Sequence, residues 1–128
     1  GLIFRNIVIE TNTGDLEILA DPLILKAIYN LLENAVRHGA HTTRITVTSV
    51  QNPDSVTLIL EDNGSGVPND IKGRIFNKGF GSNTGLGLFL TREILGITGM
   101  QIIETGTPGR GARFEIRIPA GHFRYPKE

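Results

Sequence analysis

The 128-residue sequence has no cysteine, no tryptophan and a single methionine. Without cysteine it forms no disulfide, no thiolate zinc site and no cysteine nucleophile. Basic and acidic residues number 13 each, so no net charge favours nucleic acid or an anionic membrane. The sequence contains neither an apolar run of the roughly 18 residues that a membrane span needs nor a signal peptide. We therefore expect one globular domain that contacts neither nucleic acid nor membrane directly.

Glycine is in excess, with 16 copies where average usage of about 7% predicts roughly nine. Twelve of them lie between Gly64 and Gly111, without the triplet period of a fibrous protein. An apolar content of 39% argues against disorder. The middle of the chain is therefore expected to turn tightly or to approach a ligand closely.

Periodicity predicts the element order ββ-α-ββ-loop-α-ββ. Alternating runs at residues 3–9 and 16–20 indicate a hairpin, and further antiparallel pairs are predicted at 44–50 with 56–60 and at 100–105 with 112–118. Helices are predicted from the Asp21-Pro22 start to Gly39 and over residues 88–97. The polar segment after residue 119 is expected to be a frayed tail. This order fits a helical layer on one face of a mostly antiparallel sheet.

One face of the first predicted helix carries Asn30, Asn34 and Arg37, with His38 at its edge. Amide oxygens suit a hard cation such as Mg²⁺, and a guanidinium suits phosphate. A solvated helix face explains the same pattern, so both interpretations stay open at this point. Glu33, at the edge of the apolar stripe, is either a base or a solvated residue.

Two glycine motifs occupy the irregular middle of the chain. The segment Asp-Asn-Gly-Ser-Gly at residues 62–66 follows a strand, so its first residue is placed to accept a hydrogen bond from an exocyclic amine, unless it is a plain surface turn. The segment Gly-Leu-Gly-Leu at residues 85–88 leads into a helix, whose N-terminal amides suit a polyphosphate. Between them, Phe76 and Phe80 are either the base of a glycine-hinged lid or core residues beside a loop.

Taken together and in order, these motifs resemble the catalytic and ATP-binding domain of sensor histidine kinases, one of the Bergerat-fold ATPases. Residues 30–38 resemble the N box, 62–66 the G1 box, 75–76 the F box, 85–88 the G2 box and 109–114 the last glycine box. The resemblance implies an α/β (α+β) two-layer sandwich, in which about three helices cover one face of a mixed, mostly antiparallel sheet of about five or more strands. It also implies a single domain over residues 1–128, with a core at 3–118 and a tail at 119–128.

The resemblance assigns roles by position. Asp62 would bind the adenine amino group, and Asn34 would hold Mg²⁺ with help from Asn30, so ATP or ADP with Mg²⁺ is the implied ligand. The implied catalytic residues are Asn30, Glu33, Asn34 and Arg37. The implied nucleotide contacts are Asn30, Asn34, Arg37, His38, Asp62, Gly64, Gly66, Val67, Ile71, Phe76, Lys78, Gly85, Leu86, Gly87 and Leu88.

Three departures from family patterns bear on activity. Ala112 stands where the family usually has a threonine that supports the adenine site, which predicts adenine binding that is weaker or relies on water. The lid between Phe76 and Gly85 is short and leaves few residues to cover the phosphates, although lids of this length resemble those of some kinase subfamilies. Hydrolytic relatives carry a glutamate where this chain has Asn30, and an amide is no general base. That difference favours phosphoryl transfer to a protein histidine over hydrolysis.

None of His38, His41 and His122 has the sequence context of a phosphoacceptor. We therefore expect the dimerisation and acceptor helices to lie outside this chain, which would be a monomeric fragment unable to autophosphorylate alone. The implied partners are its own histidine-acceptor domain and a downstream response regulator, in the cytoplasm, whether or not the parent is anchored in a membrane. The alternatives are an anti-sigma-factor type serine kinase of the same fold, a non-catalytic nucleotide-sensing domain, and a glycine-rich interaction domain that binds no nucleotide.

Overall fold

The computed structural model describes residues 7–38, 42–80 and 87–126. In these residues the elements are β1 (Val8–Asn12), β2 (Glu17–Ile18), α1 (Ile24–His38), β3 (Arg44–Gln51), β4 (Ser55–Asp62), α2 (Gly87–Gly96), β5 (Gln101–Glu104), β6 (Arg113–Pro119) and β7 (Phe123–Arg124). Five strands form a sheet in the order β1-β3-β4-β6-β5, and β2 pairs with β7 in a second, two-stranded sheet. In the main sheet β1 and β3 are parallel and the other neighbours are antiparallel. The predicted mixed, mostly antiparallel sheet is confirmed.

The predicted N-terminal hairpin is wrong. β1 pairs in parallel with β3, so that Val8 lies opposite Arg44, while β2 pairs with β7 at the other end of the chain. A parallel pair needs a long crossover connection, and the segment that contains α1 supplies it. Alternation identifies a strand but not its partner, which explains the error; residues 3–6 of the first predicted strand lie outside the described part.

The expectation of a frayed tail is also wrong at residues 123–124. Leu19 N–H donates to the carbonyl of His122 at 2.8 Å, and Arg124 Nε pairs with Glu17 Oε1 at 2.7 Å. The polar composition that suggested fraying instead provides the partners of β2. The closing segment therefore forms an integral part of the second sheet.

The described residues contain two helices rather than about three. Residues 68–77 form successive turns, in which Ile71 N–H donates to Pro68 O at 3.1 Å and Arg74 N–H donates to Ile71 O at 2.8 Å. These are bonds over three residues, and Gly73 in the middle disfavours helix. This segment packs beside the sheet without being a third helix.

Helix α1 begins as the sequence predicts. Asp21 Oδ1 accepts the N–H of Leu23 at 2.9 Å, which satisfies an amide that has no partner inside the helix. The buried residues of α1 are Ala27, Leu31 and Ala35, spaced at helical intervals toward the sheet. The opposite, polar face is left for other contacts.

The core lies between the helices and one face of the main sheet. Inward side chains of β4, β5 and β6 meet α1, α2 and the 68–77 segment in one buried cluster: Ala27, Leu31, Val56, Leu58, Leu60, Ile75, Phe76, Ile94, Leu95, Met100, Ile102, Ala112, Phe114, Ile116 and Ile118. Because β4 pairs with β6 from Ser55 to Glu61, Asp62 at the end of β4 lies beside Ala112, which precedes β6. The pairing of β4 with β6 therefore positions the candidate functional site.

Candidate functional site

Asp62 is a half-buried carboxylate held in a fixed orientation at the end of β4. Its Oδ1 accepts the N–H of Gly64 at 2.8 Å and the N–H of Ala112 at 3.1 Å. Within the described ranges no donor reaches Oδ2. Burial raises the pKa of Asp62, and the charge of Glu104 adds to that effect, while the two backbone N–H donors act against it. The arrangement leaves one oxygen oriented to accept a hydrogen bond from a ligand.

The glycines of the two loops beside Asp62 let backbone pack against backbone. A Cβ on Gly111, whose φ is +120°, would lie 1.9 Å from the carbonyl oxygen of Asp62. A Cβ on Gly66 would lie 3.0 Å from Gly111 O, and one on Gly106 would lie 2.5 Å from the same atom. Gly109 N–H also donates to Ser65 O at 2.8 Å. The two glycine loops therefore form one unit around the carboxylate.

Asn63 holds this unit to the start of β3, a role that the motif alone did not predict. Its Oδ1 accepts the N–H groups of Thr43 and Arg44 at 2.9 and 3.0 Å, and its Nδ2 donates to Thr43 Oγ1 at 2.9 Å. Asparagine is a common turn residue because its side chain bonds nearby backbone. Here the bonded backbone groups are 19 and 20 residues away in sequence, so the spacing of residues within the motif does not predict this contact.

Replacing this side chain tests the connection. We expect Asn63→Ala to lower the free energy of unfolding by about 1–2 kcal/mol, because two backbone donors lose their acceptor at a partly solvated position. Urea denaturation measures the effect. Asn69→Ala is the matched control, since Asn69 is exposed and makes no side-chain hydrogen bond within the described residues. Equal stability of the two variants would contradict the assignment.

The polar face of α1 meets the start of α2. Asn30 Nδ2 lies 3.4 Å from the carbonyl oxygen of Gly87, which also accepts a bond from Thr91 Oγ1 at 2.8 Å. Asn34 is half-buried, and its amide makes no hydrogen bond with any described residue. Glu33 is half-buried beside it. The structure thus places both amides of the predicted N box on one helix.

The side chains of Arg37 and His38 lie outside the described part, as do Gly85 and Leu86. Among the remaining predicted contacts, Val67, Ile71 and Leu88 are half-buried against the core, and Lys78 is exposed. Their contact with nucleotide stays a prediction.

The predicted F-box residue Phe76 belongs to the core. It is 8% exposed and packs edge-to-face on Phe114, with ring centroids 6.2 Å apart. Phe80 is half-buried against the same core, and the guanidinium of Arg74 lies 5.8 Å from its ring centroid. Both rings anchor the segment before residue 81 to the core, and a contact between Phe76 and a nucleotide stays a prediction.

The sequence motifs did not predict the buried ion pair between Lys72 and Glu104, which lies near Asp62. The Glu104 side chain is 0% exposed and pairs with Lys72 Nζ, which also donates to Gly106 O at 3.0 Å. Glu104 Oε2 accepts the N–H groups of Gly106 and Arg113, both at 3.0 Å. One signal was available: strand alternation places Glu104 on the buried side of β5 with Ile102, where a charge needs a partner.

The described residues contain no group of three or more histidine, cysteine, aspartate or glutamate side chains that would hold a metal. Mg²⁺ is commonly bound by one or two protein oxygens together with substrate phosphates and water. The half-buried amide of Asn34 offers such an oxygen, so the donor set fits a metal that arrives with a nucleotide.

Comparison with known proteins agrees with this geometry. Residues 20–122 match the family described as histidine kinase-, DNA gyrase B-, and HSP90-like ATPases. The chain belongs to this ATPase family. The resemblance that the motifs indicated is thereby confirmed.

The relatives of this ATPase domain are sensor kinases. It is 39% identical over 104 residues to the alginate biosynthesis sensor protein KinB of Pseudomonas aeruginosa, a match that covers 75% of this chain and 17% of KinB. The chain spans only 17 to 25% of the length of the first three curated relatives that it matches. Those proteins therefore contain further regions. No described helix is both long and apolar enough to cross a membrane.

Solved structures place the fold among histidine kinase ATP-binding domains. The ATP-binding domain of PrrB from Mycobacterium tuberculosis superposes with a TM-score of 0.76 at 28% identity, covering 93% of this chain and 84% of that one. Full-length ShkA in complex with AMPPNP gives 0.76 at 26% identity, covering 89% and 25%. The predicted histidine kinase type of catalytic domain is confirmed at the level of fold and family.

Proposed function

We propose that this domain binds ATP with Mg²⁺ and transfers the γ-phosphoryl group to a histidine on the dimerisation domain of its parent sensor kinase. The observation that carries the proposal is the fixed Asp62 carboxylate, whose Oδ1 is held by two backbone N–H groups. Family membership and the AMPPNP complex of the structural neighbour ShkA support it.

Adenine recognition rests on Asp62. Its carboxylate accepts a hydrogen bond from the adenine amino group, while Gly64 and Gly66 let the base approach the backbone. Val67 and Ile71 follow this turn in sequence and are half-buried against the core; we assign them the apolar contacts with the base. Ala112 contributes its backbone N–H to Asp62 rather than a side-chain hydroxyl to the base.

Phosphate binding rests on the polar face of α1 and the start of α2. We assign Asn34 as the Mg²⁺ ligand, because its half-buried amide makes no hydrogen bond with any described residue. Asn30 contacts the first residue of α2 and so links the two helices. From the family motifs we assign phosphate contacts to Arg37, Lys78 and the 85–88 segment. When bound, Mg²⁺ neutralises the negative charge of the phosphates.

The reaction is a displacement at phosphorus. The bond between the γ-phosphorus and the bridging oxygen breaks, and ADP leaves with the electron pair of that bond. A bond forms from the unprotonated imidazole nitrogen to phosphorus, and the ring releases the proton of its other nitrogen to solvent. The domain supplies position and charge neutralisation, with Glu33 as the nearby carboxylate on α1. Because Asn30 is no general base, a histidine nucleophile suits the site better than water. A response regulator is the proposed next acceptor, in the cytoplasm where ATP is available.

Two measurements test the proposal. Calorimetric titration with ATP or ADP plus Mg²⁺ is expected to show binding; no heat at millimolar ligand would overturn every nucleotide function. Adding the acceptor-helix region of the parent in trans with labelled ATP is expected to give acid-labile phosphohistidine. Acid-stable phosphoserine on a partner would instead support the serine kinase, and binding without transfer would support a nucleotide-sensing domain.

The metal ligand is tested by Asn34→Ala. We expect ATP affinity in the presence of Mg²⁺ to fall by about 10-fold or more, since a metal–oxygen contact is lost, while affinity measured in EDTA changes little. Asn12→Ala is the matched control, because Asn12 is an exposed asparagine on the edge strand β1. An unchanged Mg²⁺ effect in Asn34→Ala would move the metal site elsewhere.

A further inference from the structure

The ion pair between Lys72 and Glu104 lies directly behind the adenine-side carboxylate, and no step of the proposed reaction uses it. The side chains are 20% and 0% exposed, respectively. A buried ion pair rarely adds net stability over apolar residues of the same size. Its presence in so small a domain therefore calls for a role in holding a particular geometry.

The Glu104 carboxylate joins Lys72 to both ends of the loop that carries Ala112. Oε1 pairs with Lys72, and Oε2 accepts the N–H groups of Gly106 and Arg113, which flank the glycine loop at residues 107–112. Lys72 Nζ closes the ring by donating to Gly106 O at 3.0 Å. One carboxylate thus holds both ends of this loop, and one ammonium group adds a bond at the Gly106 end.

A single peptide group connects this ring to Asp62. The carbonyl of Ala112 accepts the N–H of Asp62 at 3.0 Å, and the N–H of the same peptide, on Arg113, donates to Glu104 Oε2. The preceding N–H, on Ala112 itself, donates to Asp62 Oδ1 at 3.1 Å. The 112–113 peptide therefore lies between the backbone N–H of Asp62 and the carboxylate of Glu104, and the adjacent 111–112 peptide donates to the Asp62 carboxylate.

We propose that Glu104 and Lys72 are positioning residues for adenine recognition. They hold the 112–113 peptide so that the Ala112 N–H fixes Asp62 Oδ1 and directs Oδ2 at the adenine amino group. Because Ala112 brings no hydroxyl, the backbone donors are the described groups that orient the carboxylate, which makes their support decisive. The inference rests on the proposed ATP binding.

The charges of Glu104 and Lys72 support the same positioning role for Asp62. The charge of Glu104 raises the pKa of Asp62 after the larger effect of burial, so the two carboxylates interact. Lys72 is the counter-charge on Glu104 and limits this repulsion. Loss of the ammonium group would both release the loop and leave Asp62 facing an unpaired charge.

The test compares two nucleotides whose only difference is the 6-amino group: ATP and purine riboside triphosphate. In Lys72→Met we expect the ratio of the two affinities to fall by about 5- to 10-fold, equivalent to one weakened hydrogen bond, while affinity for the analogue stays within about twofold. Lys72→Arg is expected to restore the ratio. A role in stability alone would lower both affinities equally.

Controls separate this inference from the function on which it rests. Arg117→Met removes the cation of an exposed pair with Asp54 and is expected to leave the ratio unchanged. Glu104→Gln keeps the acceptor oxygen but loses the charge, and its ratio is expected to fall even if Lys72→Met does not fold. A wild-type ratio in the folded Lys72 and Glu104 variants, with a collapsed ratio in Asp62→Asn, would overturn the inference alone. An unchanged ratio in Asp62→Asn would overturn the adenine site itself.

Discussion

Asp62→Asn is expected to weaken ATP binding by about 10- to 100-fold without lowering the free energy of unfolding. The loss corresponds to a charge-assisted hydrogen bond worth about 1.5–3 kcal/mol. The fold is spared because an amide oxygen still accepts the N–H groups of Gly64 and Ala112, which both end on Oδ1. The substitution thus separates recognition from stability.

The same variant carries a pH signature. Because the pKa of Asp62 is raised in the folded chain, folding favours the protonated form. Its contribution to stability is full below the ordinary aspartate pKa and is lost as the pH rises through the raised value. Near neutral pH, Asp62→Asn should therefore be at least as stable as the wild type.

ATP affinity should show the opposite trend in the wild type, falling as acidification protonates the carboxylate. This fall in ATP affinity at acidic pH should be absent in Asp62→Asn. Calorimetry and thermal denaturation over a pH series measure both quantities, with Asp54→Asn, an exposed carboxylate, as the control. A stability loss of more than about 1 kcal/mol in Asp62→Asn, or an ATP affinity that ignores acid in the wild type, would contradict the assignment.

Gly111→Ala is expected to destabilise the domain by about 3–5 kcal/mol and to abolish measurable nucleotide binding. The added Cβ would lie 1.9 Å from the Asp62 carbonyl oxygen. That atom belongs to backbone inside a paired strand end, so it cannot rotate away as a side chain would. Relief requires the two glycine loops to separate, and separation removes the Ala112 N–H from Asp62.

Gly109→Ala provides the matched comparison, because Gly109 has φ of +86° and open space around its Cβ position. It carries the strain of the left-handed backbone alone, about 1–2 kcal/mol. The difference between the two variants in urea denaturation isolates the cost of the close approach. Equal destabilisation would mean that backbone strain alone requires glycine at position 111.

Local pattern was enough for most elements of the fold. Strands β3 to β6 and helix α1 were predicted because their apolar residues repeat at the period of the element, and Asp21 caps α1 as its position suggested. The pairing of β1 was not predictable in the same way. Its partner β3 lies beyond α1, and no local period encodes a partner at that distance.

The site residues likewise fall into those that local motifs predict and those that only the fold brings together. Asp62, Asn34 and the glycine loops were predicted as site residues because they stand in short motifs that resemble those of a known family. Lys72 and Glu104 were missed because they are 32 residues apart and meet only once the 68–77 turns lie against β5. The glycine excess was correctly linked to close approach, but at Gly111 the approaching group in the structure is the Asp62 backbone.

The position of β6 between β4 and β5 has a consequence for how the domain is made on the ribosome. Asp62 is synthesised 50 residues before Ala112, the donor that orients it, and β5 has no sheet partner until β6 follows. A nascent chain that stops short of β6 therefore carries every motif from the N box to the G2 box without the complete adenine pocket that we propose. Nucleotide binding should appear abruptly late in translation, when β6 enters the sheet, so that ATP stabilises complete domains and leaves unfinished ones unaided.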